Sequence, residues 1–293
     1  MTPLDTGLAV LVMAVWGFNF VAAKWGLAEL PPILLMALRF GLTAVLLLPF
    51  VRCPRDKLAS IFVLSVTLGC LHFSLMFTGL SRVDAAVAAI AIQIQVPFSA
   101  LLAAVFFGDR LGWRRALGMA VAFAGVVLLA GEPRVQSDLG ALALIIVAAF
   151  VWSVSNIQIK QIGPLDGFAL NAYFSLFAAP QLLMVSIIFE HDQIPALAAA
   201  DWRAFVSIVY MAIAVTIISY ALWYKLLRRY AVNVIMPLTL LVPVAGVASG
   251  VAFLGDSLTW RTMLGGFATL AGVGIIVVRR PQLSDPEATS KTT

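Results

Sequence analysis

The side chains able to do chemistry in this sequence stand almost alone inside long apolar runs. Asn19, Arg39, His72, Gln93, Gln95 and Asn156 each interrupt a stretch of aliphatic and aromatic residues. His72, with Phe73 beside it, can donate to a carboxylate or change charge near neutral pH. Asn19 can offer an amide to a zwitterion. Gln93 and Gln95 can do the same, but two residues apart on a helix they point away from each other. One of the pair is expected to face a shared site, with Gln93 preferred, and the other to bond a neighbouring helix. This is the chemistry of holding a solute. Covalent chemistry would need a cluster, and the sequence has no HExxH, Gly-x-Ser-x-Gly, phosphate loop or metal quartet. His72 and His191 are too few and too far apart to make one, and Cys53 and Cys70 give neither metal spacing nor a disulfide framework. No enzyme activity, cofactor or metal is expected.

The aromatic residues fall on helical faces with these polar ones. Trp16, Asn19, Phe20 and Ala23 follow i, i+3, i+4 spacing, as do Trp152, Ser155 and Asn156. Tyr220, Trp223 and Tyr224 form a stripe. Trp223 and Tyr224 lie beside Lys225 and read as an interfacial belt, whereas Tyr220, a turn deeper, reads as facing the site. Pro97 and Pro243 each remove a helix hydrogen bond and free a carbonyl, which makes them hinge candidates.

These positions need long apolar elements to carry them, and the composition supplies those. Of 293 residues 62% are hydrophobic and 11% charged, and the mean hydropathy is +1.03. A soluble domain has roughly 45–50% apolar and about 25% charged residues. Ten segments are long enough to cross a bilayer: 5–24, 31–51, 59–80, 84–107, 112–131, 138–159, 166–189, 203–227, 232–254 and 259–279. They are too long for strands and lack period-two alternation, so the fold class is an all-α membrane protein. No cleavable signal peptide is expected, and the polar tail 281–293 is expected to be disordered.

The net charge of +5 and pI near 9.5 do not point to nucleic acid, because the cations sit in short clusters between apolar segments. One side holds Arg52, Arg55, Lys57, Arg110, Arg114, Arg115, Lys160, Lys225, Arg228, Arg229, Arg279, Arg280 and Lys291. The other holds Lys24, Arg82, Arg134, Arg203 and Arg261. The positive-inside rule then puts both termini in the cytoplasm. Lys24 is expected to snorkel to the outer surface. The polypeptide's surroundings are lipid, and its partner a small molecule.

The halves echo each other. Gly108-Asp109-x-Leu111-x-Trp113-Arg114 returns as Gly255-Asp256-x-Leu258-x-Trp260-Arg261. Val96-Pro97 returns as Val242-Pro243, and His72-Phe73-x-Leu75-x-Phe77 aligns with Ser219-Tyr220-x-Leu222-x-Tyr224. Trp16 and Lys24 are spaced like Trp152 and Lys160. The units are taken as 1–135 and 136–280, followed by the tail 281–293. Five helices per unit is an odd number, so the second copy enters the membrane upside down, as in secondary transporters that bind solute near the midplane. Small residues Gly118, Ala122 and Gly125 are expected to face Gly265, Gly272 and Gly274, for packing or for dimerisation.

The Trp16-Gly17-Phe18-Asn19-Phe20 run, Pro31-Pro32 followed by Leu38-Arg39-Phe40, and the two Gly-Asp-x-Leu turns resemble the drug/metabolite transporter superfamily, EamA type, over nearly the whole chain. Within it the sequence is similar to the YddG-like amino-acid and metabolite exporters. The family usually has Glu in that turn; this chain has Asp in both copies. The resemblance implies ten helices as two inverted five-helix repeats around a central cavity lined mainly by helices 1, 3, 4, 6, 8 and 9. It also implies a structural role for Arg39 and export across a bacterial inner membrane. Substrate-facing residues are then expected to be Trp16, Asn19, Phe20, His72, Phe73, Gln93, Gln95, Trp152, Asn156 and Tyr220. Apart from residues at their ends such as Asp5, Asp84 and Glu190, the spans lack Asp and Glu, so facilitated uniport or exchange is expected, with His72 the only side-chain proton carrier. Neutral amino acids, aromatic and apolar ones included, are the expected substrates, carried by a monomer or homodimer. The alternatives are a drug, nucleobase or sugar derivative, a membrane enzyme, or a structural subunit.

Overall fold

In lipid every backbone polar group must be satisfied internally, and uninterrupted apolar runs do this as helices. The computed structural model describes residues 1–107, 112–132, 135, 138–230 and 232–277. The first Gly-Asp-x-Leu turn at 108–111, Arg134, Arg279, Arg280 and the tail 281–293 lie outside the described residues. Among the described residues ten helices are long and apolar enough to span: α1 Pro3–Leu27, α2 Pro32–Phe50, α3 Arg55–Arg82, α4 Ala85–Phe106, α5 Trp113–Ala130, α6 Leu139–Ile162, α7 Gly167–Phe189, α8 Trp202–Leu227, α9 Pro237–Leu254 and α10 Trp260–Val277. A short helix, Gln193–Ala199, fills the α7–α8 connection. Beside it, Glu190 accepts from the backbone N–H groups of Ile33 and Leu34 at 2.7 and 3.0 Å. It thereby satisfies orphan donors in the first turn of α2.

The helices pack as a two-fold axis requires. The α2 helix lies on α7, and α5 on α10. The α1 helix runs along α9 as α6 runs along α4, and α3 meets α6 as α8 meets α1. Adding five to each helix number turns every one of these pairs into another, or into itself. Two five-helix repeats of opposite orientation produce that pattern.

Glycine sets how closely some helices approach. A Cβ on Gly17 would lie 2.7 Å from Gly246 N and 2.8 Å from Val242 O, so α1 and α9 touch backbone to backbone. A Cβ on Gly125 would lie 2.6 Å from Gly265 O across α5 and α10. The expected α5–α10 pairing is corrected in one respect. Gly274 does not face α5; a Cβ there would meet only Leu240 Cδ1, at 3.8 Å. Gly272 and Gly274 are two apart, so they cannot share a face. The close packing of Gly118, Gly125, Gly265 and Gly272 is within the chain, which leaves those faces unavailable for dimerisation.

The repeats also share their irregularities. The α3 helix widens to π geometry at Ser65–His72, and α8 does so at Tyr210–Ile218. Two hydroxyls there reach five residues back: Thr216 to Met211 O at 2.9 Å and Ser219 to Ala214 O at 2.7 Å. A tight 3-10 turn at Ile92–Ile94 interrupts α4, and another at Met236–Leu240 opens α9. Each proline candidate sits third in the α-helical stretch that follows, Gln95–Phe107 and Leu241–Leu254. There a missing N–H costs little, so the break falls ahead of each proline and not at it. Such interruptions in lipid are tolerated where they line a cavity.

Candidate functional site

A cavity of about 590 Å³ lies at the centre of the two repeats. Trp16, Asn19, Phe20, His72, Phe73, Gln93, Gln95, Trp152, Asn156 and Tyr220 all line it. The sequence spreads these ten residues over 205 positions from 16 to 220, and the fold brings them to one surface. The walls draw on both hydrophobic clusters of the protein. Phe20, Met76 and Phe77 belong to the larger one, and Trp223 to a smaller one built from α1 and α8 with Ile235.

Local geometry explains how the polar groups arrive there. His72 ends the wide turn of α3 and is 3% exposed. Its Nδ1 lies 2.8 Å from the carbonyl oxygen of Ala148 on α6. A carbonyl only accepts, so Nδ1 carries the hydrogen and, in the neutral ring, Nε2 is an acceptor. The ring packs against Phe73 and Trp152, with centroids 4.9 and 5.1 Å away. Donation by His72 to a carboxylate, one expectation from sequence, is therefore not what the neutral ring offers.

Both glutamines line the cavity, correcting the expectation that only one would. They flank Ile94 at the end of the 3-10 turn. With 3.0 residues per turn in place of 3.6, residues two apart swing closer to a common face. In α6, Ser153 donates to Gln95 O at 2.8 Å, fastening the break in α4. Asn156 bonds Ser99 Oγ at 3.3 Å. Asn19 Oδ1 is buried without a hydrogen-bond partner.

Trp16 donates to Val215 O at 3.4 Å and packs against Tyr220, tilted, and Trp223, edge-on, at 5.4 and 5.5 Å between centroids. Trp223 is 6% exposed and lines the cavity. This corrects its reading as an interfacial belt: contact with α1 outweighs the proximity of Lys225. Lys24 does not snorkel freely. It donates to Leu80 O and Ser81 O at 3.1 and 3.3 Å, satisfying the C-terminal end of α3.

Arg39, for which the resemblance implies a structural role, is 6% exposed and lines the cavity. Two helices outside the expected set contribute to the wall as well, α2 through Arg39 and α10 through Val273 and Val277. Thr239 and Val242 come from α9. Aliphatic residues such as Val242, Val273 and Val277 carry no signal of their own in the sequence.

The ends of the cavity differ. On the face carrying the N-terminus, Asn156 is exposed, and it lines the cavity with Val277, the last residue of α10. At the opposite face every residue of Ala85–Ala91 is buried. There Asp256 Oδ2 accepts from Ala86 N at 2.8 Å and binds the α9–α10 turn to the start of α4.

Residues 6–131 and 139–278 each match the EamA-like transporter family. A protein of Salmonella typhimurium named "Probable amino-acid metabolite efflux pump" is 34% identical, covering 94% of this chain and 96% of its own. One of the same name in Escherichia coli is 32% identical with the same coverage. A crystal structure of a protein 18% identical superposes with a TM-score of 0.60, covering 94% of this chain and 96% of that one, and so shares the fold.

Proposed function

The chain belongs to the EamA-like transporter family, and on that ground we propose that it exports neutral amino acids and related metabolites by alternating access. The observation that carries the reading is the cavity. Its walls are Trp, Tyr, Phe, Met and aliphatic side chains, with a few polar groups converging from different helices. Such a site suits an apolar or aromatic side chain and orients a small polar head. Trp16, Phe20, Phe73, Trp152 and Tyr220 are the wall in this reading, and Asn19, His72, Gln93, Gln95 and Asn156 the polar contacts. The names borne by the Salmonella and Escherichia coli relatives support an amino-acid-related cargo.

The moving units are the repeats, 1–135 and 136–280. With the cation bias placing the N-terminus in the cytoplasm of a bacterial inner membrane, this cavity faces inward to load. The contact between Asp256 and Ala86 seals the outside. Rocking of one repeat against the other would open the outer side, with flexure at the interrupted stretches ahead of Pro97 and Pro243. Among the described residues no acidic one lines the cavity, which favours exchange or uniport down the solute gradient.

Counterflow in proteoliposomes carrying the purified protein tests this. Vesicles loaded with an unlabelled neutral amino acid should take up the labelled one faster than empty vesicles. If every neutral amino acid fails while a nucleobase, sugar derivative or lipophilic drug exchanges, the substrate reading is wrong.

A further inference from the structure

We infer that Arg39 holds the carboxylate of the transported solute. The guanidinium presents five N–H donors, and the protein meets few of them. Nη2 donates to Thr216 Oγ1 at 3.3 Å, and that hydroxyl gives its own proton to Met211 O. Nη1 approaches Met36 Sδ at 4.0 Å, a weak acceptor. Nε is buried and has no partner. Among the described residues no carboxylate pairs with Arg39; the ion pairs found are Arg82 with Asp138 and Arg229 with Asp5. The rings of Phe40 and Phe73 lie 5.4 and 5.5 Å from the guanidinium carbon and help to hold its position.

A cation with so few acceptors is costly inside a membrane. Arg39 follows the start of α2 by seven residues, about 10 Å at 1.5 Å per residue, which is hydrocarbon depth. A purely structural cation in this protein looks different: Lys24 bonds two carbonyls at a helix end. Nor does the architecture itself demand a charge there, because α7, which mirrors α2, has no charged residue. The missing acceptor is supplied from the cavity that Arg39 lines.

The geometry selects the ligand. A planar fork of donors matches two oxygens of one planar anion, which a carboxylate provides. Arg39 is the single Lys, Arg, Asp or Glu on the cavity wall among the described residues. One such cation balances a monoanionic carboxylate and not a phosphate dianion. The acceptors Asn19 Oδ1 and His72 Nε2 belong to the same cavity and suit an ammonium group. The inference rests on the amino-acid reading for the ammonium end only; the carboxylate end stands on Arg39.

The test compares a neutral aromatic amino acid, its carboxamide and its des-amino carboxylic acid on the wild-type, Arg39→Lys and Arg39→Gln proteins. Counterflow and quenching of intrinsic fluorescence are read together, since Trp16, Trp152 and Trp223 line the site. Wild type should favour the acid over the amide by at least about tenfold, the low end for loss of a charge-assisted bond. Arg39→Lys should keep part of that preference, having the charge without the fork. In Arg39→Gln the preference should fall to within about twofold. Should that variant not elute as a monodisperse species, the wild-type and lysine series decides. Equal handling of acid and amide by the wild type overturns the inference while leaving amino-acid transport intact. If the des-amino acid is carried and the amino acid is not, Arg39 stands and the amino-acid reading falls. No response to any of the three overturns both.

Discussion

His72 Nδ1 sits 2.8 Å from the carbonyl oxygen of Ala148, so the ring is oriented by the backbone of α6 with its hydrogen already committed. A second proton would put another cation in a cavity that already holds Arg39. Exchange therefore should not need a proton on this ring. A pH gradient imposed without a solute gradient is expected to drive no accumulation of labelled amino acid in proteoliposomes. Accumulation that vanishes in His72→Ala would refute this. His72→Ala itself should lower stability by about 1 kcal/mol, the usual net loss of one hydrogen bond, read as a drop in Tm.

Gln93 and Gln95 share the cavity because the 3-10 turn at Ile92–Ile94 changes the helical period between them. Gln93→Ala and Gln95→Ala should therefore both raise the half-saturating substrate concentration. Each neutral hydrogen bond is worth about 0.5–1.5 kcal/mol, or roughly two- to tenfold. A helix of unbroken period would have only one of the two variants affected, and dose–response curves for counterflow separate these outcomes.

Asp256 does for α4 what an N-terminal cap does, although it comes from another helix pair. Asp84, at the cap position, makes no capping bond with its own side chain, and Asp256 Oδ2 takes the N–H of Ala86. A Cβ on Gly250 would stand 2.5 Å from that oxygen, so the approach needs glycine there. Asp256→Ala should cost about 1 kcal/mol, as loss of a cap does. Burial pushes the Asp256 carboxyl above the usual carboxylate range, against the opposing pull of the Ala86 N–H. The folded protein thus holds this proton more tightly than the unfolded chain. Its contribution to stability is full below the unfolded value, about 3.9, and is lost as pH rises through the raised folded one. Asp256→Asn keeps an acceptor and removes the titration. On lowering the pH from about 7 towards the unfolded value near 3.9, the wild type should gain Tm relative to Asp256→Asn. A constant difference between the two melting curves across that range would refute it.

Several features could be read from the residues because each depends on little else. Span number follows from hydropathy summed along one segment, and all ten expected spans overlap helices of the structure. The repeat was visible because Gly255-Asp256-x-Leu258 needs a fixed turn chemistry wherever the unit recurs. Other features depend on a neighbour that the sequence does not name. The face of Gln95 turns on a local change of helical period. Trp223 looked interfacial from Lys225, two residues on, but Trp16 decides where its ring goes. For Arg39 the sequence establishes a buried cation, while its place on the cavity wall, with an unpartnered Nε, comes from packing around Phe40, Phe73 and Thr216.

Gly272 and Gly274 differ by two positions and should differ sharply in tolerance. A Cβ on Gly272 would lie 2.5 Å from Gly118 O and 2.9 Å from Ala122 Cα, with backbone on both counts and no flexible side chain to yield. On Gly274 it would meet one methyl of Leu240 at 3.8 Å, an ordinary contact. Gly272→Val should force α5 and α10 apart at about 1–3 kcal/mol, the usual range for overpacking, and lower both Tm and the yield of monodisperse protein. Gly274→Ala should be neutral or slightly stabilising, since alanine has the better helix propensity. Because α10 also carries Val273 and Val277 into the cavity wall, displacement of its axis in Gly272→Val should reduce counterflow beyond what the lost protein accounts for. Equal melting temperatures for the two variants would show that α5 and α10 do not pack through this face.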